Sequence, residues 1–520
     1  MSVRETDPLV ISLDSSTTAT KAVVVDAQGK VVGQGKREIP LSSPHSAWFE
    51  HDPRDWWTST NEAIHEAVWQ LSPGQRERVA ALAMTHQRES FAPFDEQGNP
   101  LRPGILWLDG RAAEQILAFG TDEIHALSGK PADITPALYK LAWLKQNEPD
   151  VLPRAHKIMD VHGYLVWSLT GRWTSSVACA DSLGLFDISA QTWSPQLLDL
   201  AGVREDQMAD LVRPGEYIGD VLPEVREAWG ILQDLPVVAG CGDGQAAGIG
   251  AAVVEPGVAY LNLGTAVNAG VQSDEYVYGP AYRTLASGVP DTFVLEILQS
   301  SGSYLATWFR QAMGKAELNG RPDPELEAAA ERVSAGCGGL FTLPYWQAVQ
   351  SPYWDPIARG AQVGWRGSHD KAAMYRSILE AIGMEMGRNL QWMQESTGVP
   401  ITTIRAMGGG TRSPLWRKIM TDTIGLPITA CTEDEIGAVG AACLGMAFTG
   451  VHGDNSVVTS AKAMAHFGDT TEPDEALHQR YQEAAEIQGK LYEALRPVVQ
   501  EIHGFAQKYP NEAELTVEGA

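Results

Sequence analysis

The stretch LDSSTTATK at residues 13–21 places one carboxylate and five hydroxyl side chains directly after an apolar strand. A carboxylate at a strand end can hold Mg²⁺ through water, and the hydroxyl and backbone N–H groups of the following turn can bind phosphoryl oxygens. Lys21 would then point at a terminal phosphate. The stretch therefore predicts a phosphate site with Asp14 facing the cation, and an ordinary Ser/Thr-rich hairpin is the alternative.

A second carboxylate, Asp243, lies among glycines between the apolar strand LPVVAG and the small-residue segment GQAAGIGAA. Glycines let a backbone approach a ligand closely, and a carboxylate on such a turn suits a general base that takes the proton of a hydroxyl. The glycine spacing does not fit G-x-G-x-x-G, and the downstream acid of a dinucleotide site is missing. A helix cap is the alternative for Asp243.

The turn THQRESF at residues 85–91 carries three adjacent polar side chains, Gln87, Arg88 and Glu89. Two donors beside one acceptor are suited to bridging the vicinal hydroxyls of a polyol. A solvated polar turn is the alternative.

Two glycine-containing turns in the second half of the chain predict further phosphate or nucleotide contacts. In LNLGTAVN, Gly264 and Thr265 offer backbone and hydroxyl donors between two strands, which repeats the setting of the first hairpin. In AMGGGTRSP, three glycines precede a helix expected to begin near Ser413, and they leave room for a flat ring or a diphosphate at the helix N-terminus. A glycine-rich structural turn is the alternative.

Other catalytic signatures are missing from the sequence. It contains no H-E-x-x-H, no G-x-S-x-G, no Walker motif and no Cys/His set with metal-ligand spacing. Zinc hydrolases, serine hydrolases and P-loop enzymes are therefore poor candidates.

The elements around these motifs predict an α/β protein. The opening residues read as three antiparallel strands, a helix begins at Asp52-Pro53, and further strands with helices follow. This is the order of a ribonuclease-H-like unit, and a second such unit begins after residue 250. A long helix is expected near the end, followed by a frayed tail over residues 509–520.

Composition limits the class of protein. The 520 residues suit two or three domains, and the net charge of −26, from 65 acidic and 39 basic residues, disfavours a nucleic-acid or anionic-membrane binder. No run of 18 apolar residues predicts a membrane span. Five scattered cysteines without C-x-x-C spacing, and the lack of a signal-like start, predict a cytoplasmic protein with reduced thiols.

The motifs occur in an order that resembles the FGGY family of carbohydrate kinases, over roughly residues 8–490. The resemblance includes GILWLDGRA, HKIMDVHGYLVWSLTG, PVVAGCGDGQAAG and AMGGGTRSPLWRKIMTD. It implies two ribonuclease-H-like domains, of the actin and hexokinase type, that face a central cleft and close over a sugar and Mg-ATP. The expected divisions are an N-terminal domain over 8–253, a nucleotide-binding domain over 254–490, and a helix end and tail over 491–520.

The resemblance also implies roles for single residues. Asp243 is expected to be the catalytic base, and Asp14 is expected to position Mg²⁺, through water. The expected sugar-binding residues are Gln87, Arg88, Glu89, Asp243 and Gln245. The expected ATP- and phosphate-binding residues are Asp14, Thr17, Thr18, Lys21, Gly264, Thr265, Gly409, Gly410 and Thr411. Ser16 departs from the family, which usually has glycine there.

The acceptor stays open among several small ketoses and polyols. The match through SLGLFDISAQTWSPQLLDLAGV resembles xylulokinases, whereas WFEHDP and QRES resemble glycerol kinases. D-xylulose, giving D-xylulose 5-phosphate, is the first expectation; glycerol is the second, and ribulose is another alternative. An ATP-binding sugar sensor on the same scaffold is the non-kinase alternative, and a homodimer is an open alternative for the assembly.

Overall fold

A computed structural model of the protein describes residues 7–318 and 321–509. Of the predicted frayed tail, only Tyr509 belongs to this part of the chain, and the rest lies outside the described residues. Within the described residues, no helix combines the length and the apolar character needed to cross a bilayer.

The first 257 residues contain fourteen strands and eleven helices. The strands are β1 (Leu9–Ser15), β2 (Ala19–Asp26), β3 (Val31–Glu38), β4 (Glu50–His51), β5 (Val79–His86), β6 (Phe91–Phe94), β7 (Gly104–Ile105), β8 (Lys157–Asp160), β9 (Thr174–Ser176), β10 (Phe186–Asp187), β11 (Thr192–Trp193), β12 (Asp210–Val212), β13 (Tyr217–Asp220) and β14 (Pro236–Gly242). The helices are α1 (Pro53–Trp69), α2 (Pro73–Arg76), α3 (Ala113–Phe119), α4 (Asp122–Ser128), α5 (Ala137–Asn147), α6 (Val151–Arg154), α7 (Val161–Thr170), α8 (Val177–Ala180), α9 (Pro195–Ala201), α10 (Pro223–Ala228) and α11 (Asp243–Gly250), all counted within the described residues.

The remaining described residues contain nine strands and seven helices. The strands are β15 (Val258–Leu263), β16 (Val267–Ser273), β17 (Arg283–Ala286), β18 (Phe293–Gln299), β19 (Phe341–Leu343), β20 (Ala361–Val363), β21 (Thr403–Met407), β22 (Ile428–Cys431) and β23 (Phe467–Thr471). The helices are α12 (Ser303–Met313), α13 (Pro324–Arg332), α14 (Lys371–Thr397), α15 (Pro414–Ile424), α16 (Ile436–Thr449), α17 (Val457–Met464) and α18 (Glu475–Lys508).

The first sheet has the strand order β13-β14-β5-β1-β2-β3. Strands β1, β5 and β14 are parallel, while β2, β3 and β13 run antiparallel to their neighbours. β1 is mostly apolar because both of its faces are covered: Leu9 and Ile11 pack with α1, and Val10 packs with α16. Helix α1 begins as predicted, with Asp52 as its N-cap and Pro53 as its first residue.

The second sheet repeats the first. Its order is β17-β18-β16-β15-β21-β22-β23, with β15, β21 and β22 parallel and β16 and β18 antiparallel in the positions that β2 and β3 hold in the first sheet. The prediction of two copies of one ribonuclease-H-like architecture is confirmed.

Helix α16 connects the two halves. It follows the second sheet in the chain, yet it packs against β1, β5 and α11 of the first half. Ser12 on β1 donates a hydrogen bond of 2.5 Å to the carbonyl of Ala438 in α16. The packing is close because the helix carries small residues: a Cβ at Gly440 would overlap the carbonyl of Ala246 in α11. The predicted domain division at residues 253 and 254 falls between α11 and β15, and the one at residue 490 falls inside α18.

Candidate active site

A cleft of about 480 Å³ lies where the carboxyl ends of the parallel strands of both sheets meet. Because β1, β5 and β14 are parallel, Asp14, Arg88 and Asp243 lie at or beyond the same edge of the first sheet. The second sheet contributes the turn after β21 and the segment after β22. Of the predicted site residues, the structure brings six to the wall of this cleft: Asp14, Lys21, Arg88, Asp243, Gly409 and Thr411.

Asp14 is the last residue but one of β1 and pairs in register with Lys21 of β2. Its Oδ1 atom is buried and has no hydrogen-bond partner among the described residues. Burial, together with the nearby charges of Asp243 and Glu435, raises the pKa of Asp14 to about 7, although Lys21 opposes this shift. A cation placed at Asp14 would relieve both the burial cost and the repulsion.

Lys21 contacts a carboxylate within the cleft. Its Nζ atom lies 2.8 Å from Glu435, which immediately precedes α16, and both side chains are partly exposed. The predicted contact of Lys21 with a terminal phosphate would therefore require the ammonium group to be shared with Glu435 or released from it.

The first hairpin turn accommodates Ser16 without backbone strain. Ser16 is outside the left-handed region in which glycine would be required. Its N–H and hydroxyl both donate to the carbonyl of Ala19, at 3.0 and 2.8 Å. Thr17 accepts a hydrogen bond of 2.9 Å from the indole of Trp107, and Thr18 is exposed. Neither threonine lies on the cleft wall as the structure describes it.

The side chain of Gln87 supports the turn of this hairpin through hydrogen bonds. Its Nε2 donates to the carbonyl of Ser16 at 3.2 Å, and its Oε1 accepts from Thr17 and Ser90 at 3.3 and 3.0 Å. The side chain is buried and does not line the cleft. The structure therefore does not bring Gln87 to the predicted sugar side, because its amide is hydrogen-bonded to the turn between β1 and β2.

Asp243 is the first residue of α11, directly after β14. Its Oδ1 accepts a hydrogen bond of 2.7 Å from the N–H of Gly244 and lies 2.7 Å from Arg88 Nε. The Nε–H of Arg88 is not directed at the carboxylate, so this contact is an ion pair and not an aligned hydrogen bond. The Asp243 side chain is 47% exposed, which leaves it accessible from the cleft.

The glycines around Asp243 are explained by Arg88 and its partner Glu296. A Cβ at Gly242 would come within 2.5 Å of Arg88 Cδ, and a Cβ at Gly244 would overlap Glu296 Oε1. Both positions are glycine because a second layer of charged side chains passes directly behind the turn.

Arg88 begins a buried series of charges that crosses between the two halves of the chain. Its Nη1 donates to Glu296 Oε2 at 2.9 Å, and Arg283 Nη2 lies 2.8 Å from the same oxygen. Tyr260 donates its hydroxyl to Glu296 Oε1 at 2.8 Å. Burial alone would raise the pKa of Glu296, but Arg88 and Arg283 hold it at about 2.

Glu89 continues this series on the side away from the cleft. Its Oε1 accepts from Arg283 Nη1 at 2.7 Å. Its backbone has φ +63°, a conformation that non-glycine residues rarely adopt, and its N–H lies 3.3 Å from Ser182 Oγ. The predicted direct contact of Glu89 with the sugar is not visible in the cleft wall, because Arg283 occupies the carboxylate.

Gln245 is also buried behind the wall. Its Nε2 donates to the carbonyls of Ala178 and Ala286, at 3.1 and 3.2 Å, and its Oε1 lies 3.5 Å from Arg88 Nη1. Gln245 thus links the two halves of the chain and supports Arg88 instead of lining the cleft.

The second hairpin lies beside the three glycines. Asn262 on β15 faces Asn268 on β16, and both line the cleft. Asn268 Oδ1 is buried without a hydrogen-bond partner among the described residues. The predicted residues Gly264 and Thr265 lie beyond the wall, and their carbonyls accept the N–H groups of Ser303 and Tyr304.

The glycine turn after β21 is shaped by its contact with this hairpin. Gly408 has φ +88°, and a Cβ there would lie 2.6 Å from Asn262 Oδ1. Thr411 donates to the carbonyl of Gly408 at 2.7 Å. Gly410 packs beneath Trp416 and does not line the cleft, whereas Gly408, Gly409 and Thr411 do.

Sequence reasoning missed several residues of the second half that line the cleft, Tyr260, Asn262, Asn268, Glu296 and Glu435, and it missed Arg283, which pairs with Glu296 behind the wall. The sequence does indicate that Glu296 has a special role, since a glutamate in the middle of the apolar strand FVLEILQ is unusual unless it is paired. Within residues 7–318 and 321–509, no group of three or more His, Cys, Asp or Glu side chains could hold a metal ion.

Comparison with known proteins gives consistent matches along the chain. Residues 9–250 match the FGGY family of carbohydrate kinases, N-terminal domain, and residues 259–448 match its C-terminal domain. The xylulose kinase of Escherichia coli (strain K12) is 28% identical over 94% of this chain and 100% of that protein. The glycerol kinase of Bordetella parapertussis is 30% identical over 84% of this chain and 87% of that protein.

A solved structure shares the fold over the same length. The gluconate kinase from Lactobacillus acidophilus superimposes with a TM-score of 0.89 at 24% identity, and the match covers 95% of this chain and 100% of that one.

Proposed function

Because the chain belongs to the FGGY family of carbohydrate kinases and is a phosphotransferase acting on a sugar or polyol, we propose that it transfers the γ-phosphoryl group of ATP to a primary hydroxyl of D-xylulose, giving D-xylulose 5-phosphate. Glycerol is the second candidate, and ribulose is another. The family and its ATP chemistry come from the matches, whereas the acceptor and the roles of single residues are our proposals.

One observation carries the proposed mechanism: Asp243, Asp14 and the Gly408–Gly409 turn line the same cleft. A base, a carboxylate for the cation and a nucleotide turn are thus within reach of one bound ATP and one acceptor. Asp243 would accept the proton of the attacking hydroxyl through its exposed edge. Arg88 Nε lies 2.7 Å from Oδ1 of this carboxylate and would help to hold it in place.

The side chain of Asp14 fits a role in holding Mg²⁺. Its buried Oδ1 lacks a partner among the described residues, and its pKa of about 7 reflects a carboxylate without a counter-charge strong enough to offset burial. When bound, Mg²⁺ would neutralise charge on the phosphates, and most of its ligands would be water and phosphate oxygens. Asp14 would orient that complex against the first hairpin.

Other residues of the proposed site act through position. Thr17, Thr18, Gly264 and Thr265 would reach phosphate oxygens only after the halves close on the substrates, a movement that also excludes water. Gln87 and Gln245 are proposed to hold the hairpin and Arg88 in place. The rate enhancement would come from positioning and from electrostatic stabilisation of the transferring group.

The names of the similar proteins support the choice of acceptor. The full-length match to a xylulose kinase favours a ketose, and the somewhat higher identity to a glycerol kinase over a shorter segment keeps glycerol as the alternative.

The five cysteines are free, which accords with a protein acting in the reducing cytoplasm. A homodimer stays an open alternative for the assembly, and we propose no nucleic-acid or membrane partner.

The experiment is ADP release from Mg-ATP with a panel of D-xylulose, D-ribulose, glycerol and related polyols. Stimulation by D-xylulose above all others supports the proposal, and equal turnover with and without every acceptor would favour the sugar sensor instead. Asp243→Asn should lower kcat by about 10²–10⁴-fold with little change in KM, in keeping with loss of a general base. Near-normal turnover by this variant would remove the assignment of the base.

A further inference from the structure

An alternating series of five charged side chains begins at the cleft wall and continues behind it. Asp243, Arg88, Glu296, Arg283 and Glu89 follow one another through contacts of 2.7 to 2.9 Å. Three of them lie in the first half of the chain, while Glu296 and Arg283 come from β18 and β17 of the second half. Apart from Asp243, all are more than nine-tenths buried, so water screens them little.

This arrangement neutralises Arg88, the one cation of the series that reaches the cleft. Its guanidinium lies between Asp243 on one side and Glu296 on the other, and the complete series contains three carboxylates and two guanidiniums. Arg88 is therefore already paired with two carboxylates before any acceptor binds. A carboxylate on the acceptor would find it paired and would itself face Asp243 and Glu296.

The other cations of the wall are also paired with carboxylates, in ion pairs more exposed than that of Arg88 with Glu296. Among the described residues that line the cleft, three are cationic and six are anionic. Lys21 pairs with Glu435 at 2.8 Å, and Arg412 pairs with Asp434 at 3.1 Å. ATP would bring Mg²⁺ to offset its own charge, but a sugar acid would bring no counter-ion.

We propose that Glu296 is a specificity-determining residue that restricts the acceptor to neutral ketoses and polyols and excludes aldonates. It does so by neutralising Arg88 from the second half of the chain, while Tyr260 and Arg283 hold its carboxylate in place. The inference rests on the proposed function and narrows it. The fold alone does not decide this point, since a gluconate kinase shares it over nearly the whole chain.

The direct test compares D-gluconate with D-xylulose and glycerol as acceptors for the wild-type protein with Mg-ATP. Like charges placed together in a poorly screened site are strongly unfavourable, so kcat/KM for gluconate should be at least about 100-fold below that of the best neutral acceptor. If kcat/KM for gluconate equals that for the best neutral acceptor, the inference about Glu296 is overturned while the proposed function stands. Failure of every acceptor to stimulate ADP release would overturn the proposed function, and the inference with it.

Glu296→Gln tests the residue, with Tyr260→Phe as the matched control. The Gln variant keeps the shape but frees the charge of Arg88, so the ratio of kcat/KM for gluconate to that for the neutral acceptor should rise at least about 10-fold. Tyr260→Phe removes one hydrogen bond to Glu296 and keeps its charge, so the ratio should stay within about 3-fold. An unchanged ratio in a folded Glu296→Gln variant would contradict the inference.

If Glu296 had a purely structural role, its replacement would lower kcat/KM for gluconate and for the neutral acceptor together and leave their ratio unchanged. If Glu296→Gln fails to fold, Glu296→Asp provides the second variant, because it retains the charge on a shorter side chain. It should keep discriminating against gluconate, and loss of discrimination in Glu296→Asp would overturn the inference.

Discussion

Replacing Asp14 with asparagine should make the free protein more stable at alkaline pH while it removes the proposed Mg²⁺ contact. Burial, Asp243 and Glu435 raise the pKa of Asp14 to about 7 from an ordinary value of 3.8, against the opposing effect of Lys21. The folded protein therefore holds this proton more tightly than the unfolded chain does. The resulting stability is fully present below about pH 4 and is lost as the pH rises to about 7.

The size of the effect follows from the shift. About three pKa units at 1.36 kcal/mol each correspond to an upper limit of about 4 kcal/mol when the carboxylate is fully ionised. Between pH 5 and the pKa of about 7, the wild-type protein loses the part of this stabilisation that corresponds to about two pKa units. The stability advantage of Asp14→Asn over wild type should therefore grow by about 2–3 kcal/mol from pH 5 to pH 8. For a domain of some 250 residues this is a difference in Tm of about 4–6 °C.

Thermal unfolding from pH 5 to pH 8.5, at constant ionic strength and without nucleotide, measures this difference. Asp434→Asn is the matched control, because it removes the same charge from an exposed position in the same cleft. It should show no comparable growth of its advantage with pH. A difference between Asp14→Asn and wild type that does not change from pH 5 to pH 8 would refute the reasoning.

Three further predictions follow from single contacts. Gln87→Ala should raise KM for ATP more than KM for the acceptor, since Gln87 supports the hairpin of β1 and β2 that we propose binds phosphate. A rise confined to KM for the acceptor would contradict this placement. Gly244→Ala should lower acceptor kcat/KM at least about 10-fold, because the added Cβ would displace Glu296 Oε1 and, with it, Arg88. Gly74→Ala, where a Cβ meets nothing within 4 Å, should leave activity unchanged, and equal kinetics of the two variants would refute this. Trp56→Ala should lower the free energy of unfolding by about 3–5 kcal/mol, because the side chain is fully buried, and a denaturant titration would measure this loss. A loss below about 1 kcal/mol would contradict the place of Trp56 in the core.

Local rules explain why much of the fold could be predicted. The hairpin of β1 and β2, the start of α1 at Asp52-Pro53 and the glycine turn after β21 depend on neighbouring residues, whose preferences are written in the chain itself. The repeat of the first sheet by the second was visible for the same reason. The positions of Asp14 and Asp243 at strand ends followed from the apolar runs that precede them.

The direction of side chains in the QRES turn could not be predicted in this way. Adjacent residues there point to three different places: Gln87 to the hairpin of β1 and β2, Arg88 to the cleft, and Glu89 to Arg283. A positive φ at Glu89 helps to separate them, and that conformation depends on partners far away in the chain.

The sequence alone determined the two-unit α/β class, the strand ends that carry Asp14 and Asp243, and the glycine turns, because each depends on a few consecutive residues. Only the tertiary structure decided which charges meet. Glu296 lies 208 positions from Arg88, and α16 returns from the second half to pack on the first sheet. Buried ion pairs are chosen by which surfaces are buried together, and chain order does not record that.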